Sequence, residues 1–150
     1  MATEFLPSFV KRLQESSSNP ISIAENNDML LSGHIYFCNG KTQVDVKNSS
    51  FYFISDASYT NGYNPNINSI FTSLSKYTGS FDLLGVILTG IGDDGVDGCK
   101  QLAINGAKTL TETSQSAIVD GMPFRARECV PNITVQKIDD IIRTIKEFCY

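Results

Sequence analysis

Two adjacent carboxylates, Asp93 and Asp94, lie in the glycine-rich turn Thr89-Gly90-Ile91-Gly92-Asp93-Asp94-Gly95, after the apolar run 83–88 and before the helix-like stretch 96–104. A strand, a tight turn and a helix in that order place the carboxylates at the carboxyl edge of an α/β sheet, where ligands and catalytic groups collect. Three chemistries fit the residue types. Read literally, Gly90 to Gly95 matches the G-x-G-x-x-G dinucleotide fingerprint, with Glu112 near the place of a ribose-binding acid. Against it, both variable positions are Asp, which sets negative charge beside the pyrophosphate that a helix N-terminus attracts. Asp93, Asp94 and Asp97 are also clustered hard oxygen ligands, but the EF-hand pattern needs alternating acids and a distant Glu that the loop lacks. An isolated Asp here serves equally well as a plain helix cap that favours the dipole. The turn by itself leaves these readings open.

Elements that must position the turn follow from periodicity. Thr3 can cap a first helix reaching about Gln14, with Phe5, Phe9, Val10 and Leu13 on one face and Pro7 tolerated in its first turn. Strand candidates at 21–24, 34–37, 44–46 and 51–54 are separated by Asn/Asp, Asn-Gly and Asn-Ser-Ser turn signals. Their alternation of apolar and polar residues suggests an antiparallel element beside the main sheet. Residues 56–66, rich in Ser, Thr, Asn, Gly and Tyr, read as a long surface loop before a helix at 67–77. The continuous apolar run 84–88 predicts a parallel strand covered on both faces, and 107–111 the next strand. Pro123 opens a further helix after Gly121-Met122, and Thr134 caps a last one whose apolar stripe is Val135, Ile138, Ile141, Ile142, Ile145 and Phe148.

A chain of 150 residues fits one domain, here 1–150, and can bury roughly 68–70% of its unfolded surface. With 41% hydrophobic and 19% charged residues it reads as globular rather than disordered. A net charge of −4 disfavours a general nucleic-acid binder, which needs Lys and Arg to displace counterions. Cys38, Cys99, Cys129 and Cys149 have no C-x-x-C spacing and no companion histidines, so they read as reduced thiols of a cytoplasmic protein. No signal-peptide pattern opens the chain, and no apolar run approaches the roughly 20 residues of a membrane helix, so neither secretion nor membrane insertion is expected.

The wider segment GVILTGIGDDGVDGCKQLAINGAKTLTETSQSAIVDGMPFRARE, residues 85–128, closely resembles the catalytic domain of the CheB family, the protein-glutamate methylesterases of bacterial chemotaxis. There a strand ending in L-T-G-M-G-x-D-G carries a triad Asp, and a later S-x-V-V-x-G-M-P segment borders the site. Here these stand at 88–95 and 116–123. FLPSFVKRL at 5–13, LLSGHIYFCNG at 30–40 and NPNINSIF at 64–71 resemble the family's helix, strand and helix in the same order, so the resemblance covers nearly the whole chain. It implies a three-layer αβα fold with a mostly parallel, doubly wound sheet and a small antiparallel hairpin. The implied reaction is hydrolysis of γ-glutamyl methyl esters on chemoreceptors, and often deamidation of receptor glutamines, with no cofactor and no metal.

Carried over residue by residue, Asp94 matches the triad Asp, whose role is to fix a histidine's tautomer and stabilise its imidazolium. Gly90, Ile91, Gly92, Gly121, Met122 and Pro123 match positions lining the oxyanion side of the site. Ile91 stands for a usual Met, Asn39 for a usual Pro and Glu112 for a usual Gln. The family's serine and histidine precede the segment matched by Met1, so neither has a counterpart here, and no G-x-S-x-G elbow occurs. His34 lies in Gly33-His34-Ile35-Tyr36, matching a family strand whose histidine is not the triad member, and reads as structural. The expectation is therefore a domain without its first βα units, inactive alone, whose strand 84–88 has an exposed flank. The implied partners are cytoplasmic helices of methyl-accepting chemoreceptors, which Arg125, Arg127 and loop 56–66 could face. A non-catalytic receptor-binding module is the second reading and a dinucleotide enzyme a distant third.

Overall fold

The computed structural model describes residues 3–150, which divide into two compact units, one ending at Ser73 and one spanning Leu74–Tyr150. The first unit opens with a 3-10 turn, Thr3–Phe5, that runs into helix α1, Leu6–Gln14. Thr3 is therefore not the cap: Phe5 holds that position without any side-chain bond, and Pro7 occupies the first turn, where its missing N–H costs nothing. Of the expected apolar face, Val10 is buried with Leu6, and Phe9 meets Phe37 edge-on at 5.6 Å. The Gln14 side chain ends the helix by accepting the Ile21 N–H at 2.7 Å and donating to the Ser17 and Asn19 carbonyls, both at 3.2 Å.

Strands β1, Ile21–Ile23, and β2, Ile35–Phe37, pair in parallel, with Ile21 opposite Ile35 and Ile23 opposite Phe37. For these two strands the expectation of antiparallel pairing is corrected, while the candidates at 44–46 and 51–54 meet it. Residues 24–34 do not turn back as a hairpin but cross over, which a parallel pair requires. The antiparallel hairpin is instead β3, Lys41–Lys47, with β4, Ser50–Asp56. Asn48 and Ser49 join them with φ of 50° and 65°, positive at both central residues, as a hairpin turn of type I′ needs. Thr42, Val44 and Phe53 point to the buried side. In the predicted loop, Asn64 accepts the Gly40 N–H at 3.0 Å, and the Asn66 N–H donates to the Gly40 carbonyl at 2.9 Å. Asn66 also caps helix α2, Ile67–Leu74, by accepting the Ser69 N–H at 2.9 Å. The helix predicted at 67–77 has this span, with its last three residues, Ser75–Tyr77, tightened into a 3-10 turn.

The second unit is a three-stranded parallel sheet in the order β5-β6-β7, formed by Leu84–Ile87, Lys108–Glu112 and Thr134–Gln136. Helices α3, Val96–Ile104, and α4, Gly121–Cys129, pack on each other and on β5 and β6, while α5, Ile138–Cys149, packs on β6. A parallel sheet with helices, together with a small antiparallel sheet, fits the three-layer α/β architecture that the family resemblance implied. Gly85 lets α3 approach: a Cβ there would lie 3.1 Å from Leu102 Cδ1. Coverage of β5 is uneven, Gly85 and Ile87 being buried while Leu84 and Val86 are half-buried, and β5 is an edge of this sheet.

Two helix starts differ from expectation. Helix α4 begins at Gly121, with Pro123 buried in its first turn rather than opening it. Thr134 does not cap the last helix: residues 134–136 form β7, where Thr134 pairs with Leu110, and α5 starts after Lys137. A β-branched pair beside an unpaired β6 edge satisfies its backbone by joining the ladder, and this outweighs a cap. Val135 consequently leaves the helical stripe, of which Ile141 alone is fully buried. Among the described residues no helix is long and apolar enough to cross a membrane.

Candidate functional site

The site grows from the carboxyl end of β5. There the Thr89 hydroxyl accepts the Val119 N–H at 2.7 Å and donates to the Val119 carbonyl at 3.2 Å, and the Gly90 N–H donates to the same carbonyl at 2.9 Å. The Met122 N–H returns to the Gly90 carbonyl at 2.8 Å, and Gly90 and Asp120 form a parallel bridge. The two segments singled out from the sequence, 90–92 and 121–123, are thereby held side by side. Glycine matters at the contact most at Gly121, whose neighbours are backbone. A Cβ on Gly121 would lie 2.8 Å from the Gly90 carbonyl oxygen and 3.2 Å from the Gly92 nitrogen, and one on Gly90 would overlap the Met122 side chain.

Asp94 lies between Gly92 and Gly95, whose φ values of 85° and 87° put both in the left-handed region that glycine alone enters cheaply. These reversals turn Asp94 inward, leaving it 4% exposed, while Asp93 faces solvent. Neither occupies the cap position, which Gly95 holds in α3, and Val96 donates to the Asp93 backbone carbonyl at 3.1 Å. Ile91 lies at the rim, 84% exposed.

Glu112, at the end of β6, is buried and accepts the Thr89 N–H at 2.6 Å on Oε2 and the Ser116 hydroxyl at 2.9 Å on Oε1. Its oxygens are thus engaged from within the fold, which removes the acid that the dinucleotide reading needed. Arg127 donates to the Glu112 carbonyl at 2.8 Å and forks onto Asp120 at 2.9 and 2.6 Å. Those hydrogen bonds hold the Asp120 carboxyl below its ordinary range, with the guanidinium charge adding to the effect against partial burial. Of the two arginines considered for partners, only Arg125 remains exposed and outside any ion pair among the described residues. No group of three His, Cys, Asp or Glu among the described residues could hold a metal ion.

Sequence reasoning placed Thr89 and Ser116 in their motifs but missed the bonds they make, along with the buried role of Glu112 and the Asp120–Arg127 fork. It also missed a contact of His34, whose Nε2 lies 3.0 Å from Ser22 Oγ while its ring stacks on Tyr36 at 4.3 Å. No hydrogen bond reaches His34 Nδ1 among the described residues, so a third member to orient that ring is missing. The alternation of β1 and β2 could have flagged the pair only if their parallel register had been known.

The family model for the CheB methylesterase matches residues 1–145. The chain belongs to this family. A protein-glutamate methylesterase/protein-glutamine glutaminase of Photorhabdus laumondii is 33% identical over 149 residues, covering 97% of this chain and 41% of that protein. One of Borreliella burgdorferi is 37% identical over 125 residues, covering 81% of this chain and 32% of that protein. The chain thus spans about two fifths or less of these curated relatives. The crystal structure of the Thermotoga maritima CheB methylesterase catalytic domain superimposes with a TM-score of 0.85 at 23% identity, over 99% of this chain and 79% of that one. At that identity the likeness is one of fold, and it agrees with the α/β architecture described above.

Proposed function

We propose that this chain is the part of a chemotaxis protein-glutamate methylesterase and glutaminase that holds the triad acid, Asp94, and the glycine-rich backbone on the oxyanion side of the site. The observation that carries this reading is the burial of Asp94 between two left-handed glycines at the carboxyl end of β5. A buried carboxylate on a rigid turn can hold an imidazole in one tautomer and stabilise it when it takes a proton, and that is all the triad asks of its acid. Gly90, Ile91, Gly92, Gly121, Met122 and Pro123 supply the adjoining wall, held by the Val119–Gly90–Met122 bonds. Serine and histidine at the family's positions are not among these 150 residues, so the chain alone is expected to release no methanol from methylated receptor above background. Its proposed setting is the cytoplasm and its proposed substrate a chemoreceptor helix bearing methylated glutamates.

A receptor-docking role is favoured by one further observation. Ile118 and Ile91 are 91% and 84% exposed, and Val119 and Phe124 also present apolar surface around the corner. Large apolar side chains grouped at a site rim suit an amphipathic helix.

The test joins the family's serine- and histidine-bearing segment to this chain and measures methanol release from methylated receptor. The fusion is expected to turn over, and Asp94→Asn within it to lower kcat by about 10⁴, the cost of a mis-set tautomer in serine triads. Retained activity in Asp94→Asn would remove the triad role. Turnover at an enzymatic rate by the 150-residue chain itself would overturn the reading of its missing residues.

A further inference from the structure

We propose that Glu112 is a positioning residue: its carboxylate couples the first turn of α5 to the turn that carries Asp94, through a relay running Ile138 to Ser116 to Glu112 to Thr89. This adds to the reading of Asp94 as triad acid and rests on it only for its consequence in catalysis. The relay has a fixed direction. Ser116 Oγ accepts the Ile138 N–H at 3.0 Å, so its own hydrogen is available to Glu112 Oε1, 2.9 Å away. Glu112 Oε2 then accepts the Thr89 N–H at 2.6 Å. Glu112 uses a different oxygen for each neighbour, and Ser116 Oγ accepts on a lone pair while donating its hydrogen, so the three bonds form together without competition. A carboxylate suits this place because both incoming groups are donors and it offers acceptors on both oxygens.

The two ends of the relay are backbone N–H groups with no other hydrogen-bond partner among the described residues. Ile138 is the first residue of α5, and the N–H groups of a helix's first turn have no partner within the helix. Ser116 serves it from outside. Thr89 lies beyond the last paired residue of β5, Ile87, so the ladder to β6 has ended before it, and Glu112 extends that ladder with a side chain. Thr89 is then held twice, by its amide to Glu112 and by its hydroxyl to Val119. Residues 90–95 leave from that doubly held point, and Asp94 follows the reversal at Gly92. The Glu112 carbonyl takes Arg127, which forks onto Asp120 beside Val119, closing a second path to the same turn. Among the described residues Glu112 forms no ion pair, so its place in the fold is set by these hydrogen bonds.

Three substitutions separate positioning from plain packing. Glu112→Leu removes both acceptors at nearly constant size. Glu112→Gln keeps an acceptor for Thr89 and offers an N–H to Ser116, whose second lone pair can receive it while Ser116 still serves Ile138. Ser116→Ala removes the acceptor of the Ile138 N–H and the donor to Glu112 Oε1, while the Glu112 side chain and its bond to Thr89 are left in place. The measurement is amide exchange and backbone resonances of the 150-residue chain by NMR. Glu112→Leu is expected to speed exchange of the Thr89 amide by about tenfold and to shift the Asp94 and Gly95 resonances, as loss of a local hydrogen bond does. Glu112→Gln is expected to stay within about threefold of the parent. Ser116→Ala should speed Ile138 and also shift Thr89 and Asp94, across the intact Glu112. The proposal is overturned if Ser116→Ala changes Ile138 alone, or if Glu112→Gln perturbs Asp94 as much as Glu112→Leu does. Should Glu112→Leu fail to fold, the other two variants decide the matter. The readout needs no turnover, so failure of the methylesterase reading, tested by methanol release, remains a separate result.

Discussion

Replacing Gly121 by Ala tests whether the corner formed by 90–92 and 121–123 is held by direct backbone contact. The added Cβ would meet the Gly90 carbonyl oxygen at 2.8 Å, the Gly92 nitrogen at 3.2 Å and the Ile91 Cα at 3.3 Å. An ordinary C···O approach is about 3.3–3.6 Å, so the segments must part by roughly 0.5 Å. All three neighbours are backbone, and no rotamer change relieves them. Overpacking of this kind costs about 1–3 kcal/mol. The same movement stretches the 2.8 Å bond from the Met122 N–H to the Gly90 carbonyl. Its loss adds up to about 1 kcal/mol. Ala in place of Gly in a helix returns up to about 1 kcal/mol, which leaves a net cost of about 1–3 kcal/mol. For a chain of this size that is a fall in Tm of roughly 2–12 °C, measurable by circular dichroism with urea unfolding as a check. Gly79→Ala is the control: nothing lies within 4 Å of its Cβ, and the change should be neutral or stabilising by about 0.4–1 kcal/mol. Gly90→Ala should fall between them, since its Cβ meets the movable tip of Met122. Gly121→Ala within about 0.5 kcal/mol of the parent, the range of an ordinary surface change, would refute the close-contact account.

The cysteines, the Asp120–Arg127 fork and the cap of α2 each carry a further expected outcome. Cys129 and Cys149 are exposed and should react with a thiol reagent at pH 8 in the folded protein; Cys38 and Cys99, pushed by burial up to about 11 and about 12, should react only on unfolding. Cys99 labelling as fast as Cys129 would contradict its place beneath Gly85. Asp120, held low by Arg127, binds its proton less readily folded than unfolded, so its contribution to stability is complete above the unfolded value near 3.9 and fades as pH falls through the lower folded value. Arg127→Met should flatten that acid-side slope in unfolding experiments between about pH 5 and 2, and an unchanged slope would dismiss the fork. Asn66→Ala should cost about 0.5–2 kcal/mol by uncapping α2, with Asn66→Asp restoring most of it; equal loss in both variants would show that the Ser69 N–H is not what Asn66 serves.

The parts of the fold legible in the sequence are those whose signal is local. An apolar run followed by Thr89-Gly90-Ile91-Gly92 encodes β5 and its turn in consecutive residues, because the strand is covered by helix and the reversals require glycine where φ is positive. What stayed hidden depends on a partner far along the chain. Residues 134–136 read as a helix start because Thr precedes apolar residues, and only the open flank of β6 makes them a strand. β1 and β2 carry the same alternation whether they pair in parallel or antiparallel, and the crossover at 24–34 decides it. The same division runs through the site. Asp94 could be found from its motif, whereas the place of Glu112 depends on Leu84 pairing with Lys108, which fixes how far β6 extends beside Thr89. Two arginines two residues apart look alike in a helix, yet Arg127 reaches back to Asp120, one residue before α4 begins, and Arg125 does not. Residues that present chemistry are therefore legible from local pattern, while residues that hold them in place become legible only with the register. Substitution of Ser116, which the motif at 116–123 contains but to which it gives no role, is for that reason the sharper probe of how this corner is built.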